Sequence, residues 1–335
     1  MNTKRVVALI IAAVLLFFSI GINTIITIFK TDFFSSFDML GSDALTYENV
    51  VETGDFTKRI ANLKVDGVIQ DVGEPSIWET VGYNHQVFLE QLDAVLNDET
   101  VKAVLLTVNT PGGGVIESEE IYQKLLQIKE ERQIPIYVTM GAMAASGGYY
   151  ISAPADKIFA QRETITGSIG VIMQSINYEK LAEKIGVEFE TIKSGEHKDM
   201  FGGPRPSTKE ELAMLQEMID ESYEHFVDII EAGRNMSEAE VKKVADGRVL
   251  GGTQALRAGL VDEIGNEEAA INALRADYGL EDAQLFEYTK NTTSWGLFLG
   301  AKLGSMFSPS AESQVLSKII SSTNSPRMMY LYGDY

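Results

Sequence analysis

Cysteine is absent from all 335 residues, which removes disulfides, thiolate metal sites and cysteine nucleophiles in one step. Histidine is nearly as scarce. His85, His197 and His225 are scattered without metal-ligand spacing, so histidine-bound zinc is not expected either, and no cofactor is implied. Positive charge is also in short supply, with 28 Lys and Arg against 48 Asp and Glu and a formal net charge of −20. Such a chain repels phosphates, so no nucleic-acid partner is expected. Two familiar motifs are missing as well. The glycines at 112, 113 and 114 are followed by Val115 and Ile116, where a phosphate-binding loop would end in Gly-Lys-Ser/Thr. Ser146 has Ala144 where the α/β-hydrolase elbow carries its first glycine. The missing cysteines fit an extracytoplasmic location.

What is present begins with Lys4 and Arg5, ahead of an uncharged run over 6–29. A helix of that length crosses a ~30 Å hydrocarbon core. The run continues in large residues through Phe29 with no small-x-small cleavage site, so it reads as an uncleaved transmembrane anchor and not as a signal peptide. Residues 1–5 are then cytoplasmic and everything beyond the span extracytoplasmic, on a single-pass cell-membrane protein. Residues 30–58, with Phe33, Phe34 and Phe37, read as an interfacial segment and linker. A regular domain occupies 59–290. The Ser-, Thr- and Gly-rich stretch 291–335 reads as a flexible tail with an unusually apolar end, Met328-Met329-Tyr330-Leu331-Tyr332.

Hydrophobic content of 45% and charged content of 23% are those of a globular protein with a sizeable core. Alternating or continuous apolar runs predict strands over 60–65, 101–108, 134–139, 157–160, 168–172 and 187–192. Between them, Val87, Phe88, Leu92, Val95 and Leu96, and then Ile121, Leu125 and Ile128, fall at helical spacing. A long helix is predicted from about 208 to 233, started by Ser207-Thr208 with Glu210 and Glu211 behind. Its buried face would hold Leu212, Leu215, Ile219, Phe226, Ile229 and Ile230. Strands alternating with helices imply parallel pairing and an α/β fold.

The stretch 141–150, Gly-Ala-Met-Ala-Ala-Ser-Gly-Gly-Tyr-Tyr, is nearly bare of side chains around Ser146. A substrate carbonyl could come within about 3 Å of that hydroxyl, as an attacking serine requires. A serine that merely caps a helix would look similar. Serine is a weak nucleophile and needs a base. Two candidates lie together after the strand predicted at 187–192, His197 and Lys198; His85 and His225 read as half-buried or solvent-facing helix residues. A lysine serves as a base only when desolvation brings its pKa from ~10.4 towards ~7–8. Spacing does not choose between His197 and Lys198. The backbone N–H groups of the glycines at 112–114, together with that of Gly147, are candidate oxyanion donors.

Asn109-Thr110-Pro111-Gly112-Gly113-Gly114, Met143-Ala144-Ala145-Ser146-Gly147-Gly148-Tyr149-Tyr150, Thr166-Gly167-Ser168-Ile169-Gly170-Val171 and Lys193-Ser194-Gly195…Lys198-Asp199 follow one another here. Ala245-Asp246-Gly247-Arg248-Val249 and Gly259-Leu260-Val261-Asp262 complete the series. Over about 59–290 the chain resembles the signal peptide peptidase A family, in its short, single-copy bacterial form. The resemblance implies a serine protease domain with the Clp-protease/crotonase-like fold of stacked ββα units. It implies a Ser146–Lys198 dyad, with Gly113 and Gly147 as oxyanion donors and Ser168 orienting the Lys198 amine. The implied substrates are signal peptides left in the membrane and other apolar, extended peptides. Double-length family members carry lysine and serine in different halves, so a ring-like homo-oligomer, an octamer, with active sites shared between subunits is implied too. The rival readings are a crotonase-like acyl-CoA enzyme and a non-catalytic membrane scaffold.

Overall fold

The computed structural model of the protein describes residues 46–71, 82–290 and 327–333. The expected anchor at 6–29 and most of the expected tail lie outside these residues. Among the described residues no helix is long and apolar enough to cross a membrane.

The centre of the compact unit formed by Glu48–Tyr335 is a parallel-dominated sheet. Its inner strands are β2 (Asp55–Asp66), β3 (Val101–Thr110), β5 (Ile136–Ala145) and β6 (Lys157–Ala160), paired parallel in that order. Their apolar runs are nearly continuous because both sheet faces are covered, as parallel sheets require. β10 (Ala283–Lys290) joins β2 in parallel and carries β1 (Thr46–Glu52) at one edge, while β9 (Glu263–Ile264) closes the other beside β6. The short β7 (Ile165–Gly167) runs parallel to the end of β5, with β8 (Val249–Gly251) antiparallel to it.

Helices cover both faces. On one, α1 (His85–Asn97), α2 (Val115–Gln127), α3 (Gly147–Ser152) and part of α5 (Lys209–Arg234) pack Phe88, Leu92, Ile121, Leu125, Tyr149, Tyr150, Phe226 and Ile230 into the larger core. On the other, α8 (Glu267–Tyr278) lays Ala270, Ile271 and Leu274 against Ile60, Leu105, Tyr137 and Phe159. The short α4 (Glu179–Lys184), α6 (Glu238–Lys242) and α7 (Gly252–Arg257) and a π-helical turn at Ile128–Arg132 complete the helices of the described residues. Helix starts are written locally. Asn84 Oδ1 accepts from Val87 N at 3.0 Å, and Thr208 with Glu211 forms the reciprocal cap of α5.

Several expectations need correction. No strand forms over 187–192; the segment is irregular, with Val187, Phe189 and Ile192 exposed. A strand needs an edge to pair with, and among the described residues none reaches it. Leu212, expected inside, is 49% exposed, because the first half of α5 lies beyond the core. The strand predicted at 168–172 does not form: β7 lies before it, Ser168 takes φ +49°, and only Ile172 makes an isolated bridge, to Met329. His85 is fully buried, between Tyr83 Oη and Glu120 Oε2 at 2.6 Å each. β1 and the start of β2 fall inside the expected linker at 30–58. Residues 329–331 of the expected flexible tail form a strand, β11 (Met329–Leu331).

Candidate active site

Three parallel strands end at one place. β3 ends at Thr110, beside Ala144 of β5, and β5 ends at Ala145, beside Gly167 of β7. Each is followed at once by a residue singled out in the sequence: the glycines after Pro111, then Ser146, then Ser168. Carboxyl ends of parallel strands are where such folds gather their functional loops.

Ser146 stands at the joint between β5 and α3 with φ +54° and ψ −113°, a region that non-glycine residues rarely occupy. Holding it there costs on the order of 1–3 kcal/mol. Its neighbours enforce it: Ser146 N donates to Gly167 O at 2.8 Å, and its carbonyl accepts from Tyr150 N at 2.9 Å. The residue is 1% exposed, and every residue of α3 is buried. Ser168 N donates to Arg248 O at 2.8 Å, which fixes a second non-glycine residue at positive φ next door.

The glycine strand β4 (Gly112–Gly114) is held on one edge by Ile69, whose N–H donates to Gly112 O and whose carbonyl accepts from Gly114 N, both at 2.8 Å. Strand groups alternate between edges, so the Gly113 N–H faces the other side. There it lies against the start of α3. A Cβ on Gly147 would stand 3.1 Å from Gly113 N and 2.6 Å from Ser118 Oγ, and a Cβ on Gly112 would stand 2.6 Å from Gly147 N. The Gly113 and Gly147 donors are therefore neighbours, in a packing that side chains would break. Paired N–H groups beside a serine are what a developing oxyanion needs.

That edge of β4 is occupied by the chain's own end. β11 runs antiparallel to β4, with Tyr330 opposite Gly113. Val115 N donates to Met328 O at 3.4 Å and Tyr332 N to Pro111 O at 2.9 Å. The alternation makes Tyr330 and Gly113 a hydrogen-bonded pair, with the Tyr330 carbonyl at the Gly113 N–H. A Cβ on Gly112 would collide with that carbonyl oxygen. On its far edge β11 exchanges hydrogen bonds with Ile172: Met329 N to Ile172 O at 2.9 Å and Ile172 N to Met329 O at 3.0 Å. The Tyr330 ring is fully buried, stacked on Tyr150 at 4.8 Å and tilted against Phe226 at 4.7 Å, and its hydroxyl donates to Ser222 O at 3.1 Å. Burial, and then the hydrogen bond to Glu119, hold the Tyr150 phenol well above its ordinary pKa, so it remains a donor. The site thus contains a slot one strand wide with an aromatic pocket.

Lys198 is exposed, and among the described residues no hydrogen bond or ion pair joins it or His197 to Ser146. Its loop is stiffened by a separate network. Arg205 Nη2 lies 2.6 Å from both Asp199 Oδ1 and Glu211 Oε1, Lys193 Nζ lies 2.7 Å from Asp199, and His197 Nδ1 lies 3.5 Å from Glu211. Arg205 and then Lys193 push the Asp199 carboxyl far below its usual range, and Arg205 brings Glu211 down to about 2. His197 is thus turned towards a carboxylate, and Lys198 takes no part.

Four contributors escaped the sequence reading. Ser118 Oγ is buried beside Gly147 without a hydrogen-bond partner among the described residues. Tyr150 and Phe226 form the pocket, although their apolar pattern speaks only of core. Glu117 meets the tail's Arg327, and nothing in its spacing signals that.

The profile of peptidase family S49 matches residues 128–281. A provisionally named signal peptide peptidase SppA of Enterococcus faecium is 41% identical over 350 residues, covering 99% of each chain. Protease 4 of Haemophilus influenzae is 34% identical over 291 residues, 82% of this chain and 46% of its own. The chloroplastic serine protease SPPA of Arabidopsis thaliana is 31% identical over 214 residues, 64% of this chain and 31% of its own.

Proposed function

The chain belongs to the signal peptide peptidase A family of S49 serine proteases, and on that premise we propose that it is a membrane-anchored endopeptidase degrading remnant signal peptides and other apolar, extended peptides. One observation carries this reading. A peptide strand fits between β4 and Ile172 with one carbonyl at the Gly113 N–H and the Gly147 N–H close by. The Clp-protease/crotonase-like arrangement of stacked ββα units belongs to the same reading, as does the single anchor at 6–29 in the cell membrane.

In this mechanism Ser146 Oγ attacks the carbonyl carbon of a bound peptide while the neutral Lys198 amine takes its proton. The carbonyl π bond opens, and the oxyanion rests on the N–H groups of Gly113 and Gly147. Collapse breaks the C–N bond, and the Lys198 ammonium returns the proton to the leaving amine. Water, deprotonated by the same amine, then hydrolyses the acyl-enzyme and restores Ser146. Ser168 orients the amine.

The base must come to the serine, and in one chain Lys198 stands exposed on an arm with unburied apolar residues. Ile176, Leu181, Ile185, Phe189 and Ile192 lie on it, and Leu212 on the adjoining helix. A patch of that kind fits a contact between copies. The reading is a ring-like homo-oligomer, an octamer, in which Lys198 of one subunit serves Ser146 of the next and is desolvated by the contact. Mixing Ser146→Ala with Lys198→Ala chains tests it: each alone is inactive, and verified mixed assemblies recover part of the activity. No recovery in such assemblies would place the dyad within one chain. A fluorogenic apolar peptide cleaved by the native chain and spared by Ser146→Ala separates the protease from a crotonase-like acyl-CoA enzyme and from a scaffold.

A further inference from the structure

The tail strand carries a feature that the apolar slot does not explain. Arg327 precedes it, and its guanidinium donates to Glu117 Oε1 at 3.2 Å and to Gln70 Oε1 at 3.1 Å. The Glu117 side chain is only 11% exposed. It is held by the Asp71 N–H at 3.1 Å and folded against Gly114, where a Cβ would overlap its carboxylate. Glu117 also lies in the first turn of α2, where the helix favours a carboxylate. A mostly buried carboxylate thus has its Oε1 fixed by a backbone N–H and presents the same oxygen to a cation. Its place is set by register: Arg327 stands three residues before Tyr330, whose carbonyl faces Gly113.

We infer that Glu117 and Gln70 form a cation subsite, selecting peptides with Arg or Lys three residues before the residue whose carbonyl is held at Gly113. The inference rests on the peptidase reading above and deepens it. Read along the strand, the slot holds a basic residue and then an apolar run, Arg327-Met328-Met329-Tyr330-Leu331-Tyr332. That is the order found at the border between the basic n-region and the apolar h-region of a signal peptide. The site is then built to cut just inside that border, so that the charged end anchors the peptide while the aromatic pocket takes a side chain from the apolar run. A charge-assisted contact to a fixed, poorly hydrated carboxylate is worth more than a pair in open water.

The test uses two otherwise identical fluorogenic peptides with Arg or its neutral isostere citrulline three residues before the residue whose carbonyl is cleaved, given to the full-length chain. The docked tail competes equally with both, so the ratio of their kcat/KM values is free of it. The native chain should prefer the Arg peptide by about three- to tenfold. Glu117→Gln, which keeps shape and loses charge, should bring the ratio below twofold. A native ratio within twofold, or a preference that survives Glu117→Gln, overturns the subsite while leaving the peptidase intact. If neither peptide is cleaved, the peptidase reading fails on its own. Fluorescence anisotropy of labelled peptides on the Ser146→Ala chain then still reads the Arg preference, and equal binding would overturn the subsite.

Discussion

Tyr330→Ala should release the site from the chain's own end. The native ring is fully buried, touches Tyr150 and Phe226 at stacking distance, and hydrogen-bonds to Ser222 O at 3.1 Å. Burying such a ring is worth about 1.5–3 kcal/mol, its aromatic contacts about 0.5–1.5 kcal/mol, and its hydroxyl bond about 0.5–1.5 kcal/mol. Losing most of this removes about 3–5 kcal/mol of docking free energy, or roughly 10²–10⁴ in the docking equilibrium. A tail that occupies the substrate slot acts as a competitor fixed to the enzyme. It raises the apparent KM and leaves kcat alone. The variant should therefore show an apparent KM at least tenfold lower in a fluorogenic peptide assay, with kcat within twofold. A synthetic peptide of residues 327–333 added to the variant should restore competitive inhibition. An apparent KM unchanged within twofold, in a variant that melts like the native chain, would refute the reasoning.

Other consequences are local. Gly113→Ala drives a Cβ into the Ile69 carbonyl and displaces one proposed oxyanion donor, so kcat should fall about 10²–10³-fold in the same assay. Tyr149→Phe leaves the Leu260 carbonyl, now paired at 2.9 Å, without its buried donor. That should cost about 1–3 kcal/mol in urea unfolding, with peptide cleavage retained. The depressed carboxyls of Asp199 and Glu211 stabilise the Lys198 loop fully above the ordinary values of 3.8 and 4.5. The contribution of Glu211 is lost as pH falls through about 2, and that of Asp199 lower still. Amide exchange over 193–205 should accelerate in that acid window in the native chain, and already at pH 4 in Arg205→Ala; equal protection in both would refute the network's role.

The parallel α/β scheme was legible because buried strands and amphipathic helices write their periods into neighbouring residues. The same holds for the start of α5, where Thr208 and Glu211 satisfy the helix from three residues apart. The close packing around Ser146 was legible, since a backbone approach leaves a run of small residues behind. Local signals also misled. The apolar residues at 187–192 have a strand's pattern but, among the described residues, no edge to pair with, and Leu212 has a helix's inward spacing but no core to face. Both patterns describe what a segment could bury, and only the assembled molecule decides what it meets.

By itself, then, the sequence determined most of the alternation of strands and helices, the tight joint at Ser146 and the small residues around it, because each depends on contacts within a few residues. Tertiary structure alone decided that the ends of β3, β5 and β7 coincide, and so that Gly113, Ser146 and Ser168 become neighbours. It also decided that Tyr330, 184 positions beyond Ser146, lies opposite Gly113 with its ring between Tyr150 and Phe226. Such pairings are set by sheet register and by packing between distant segments, and no local pattern of residue types encodes either.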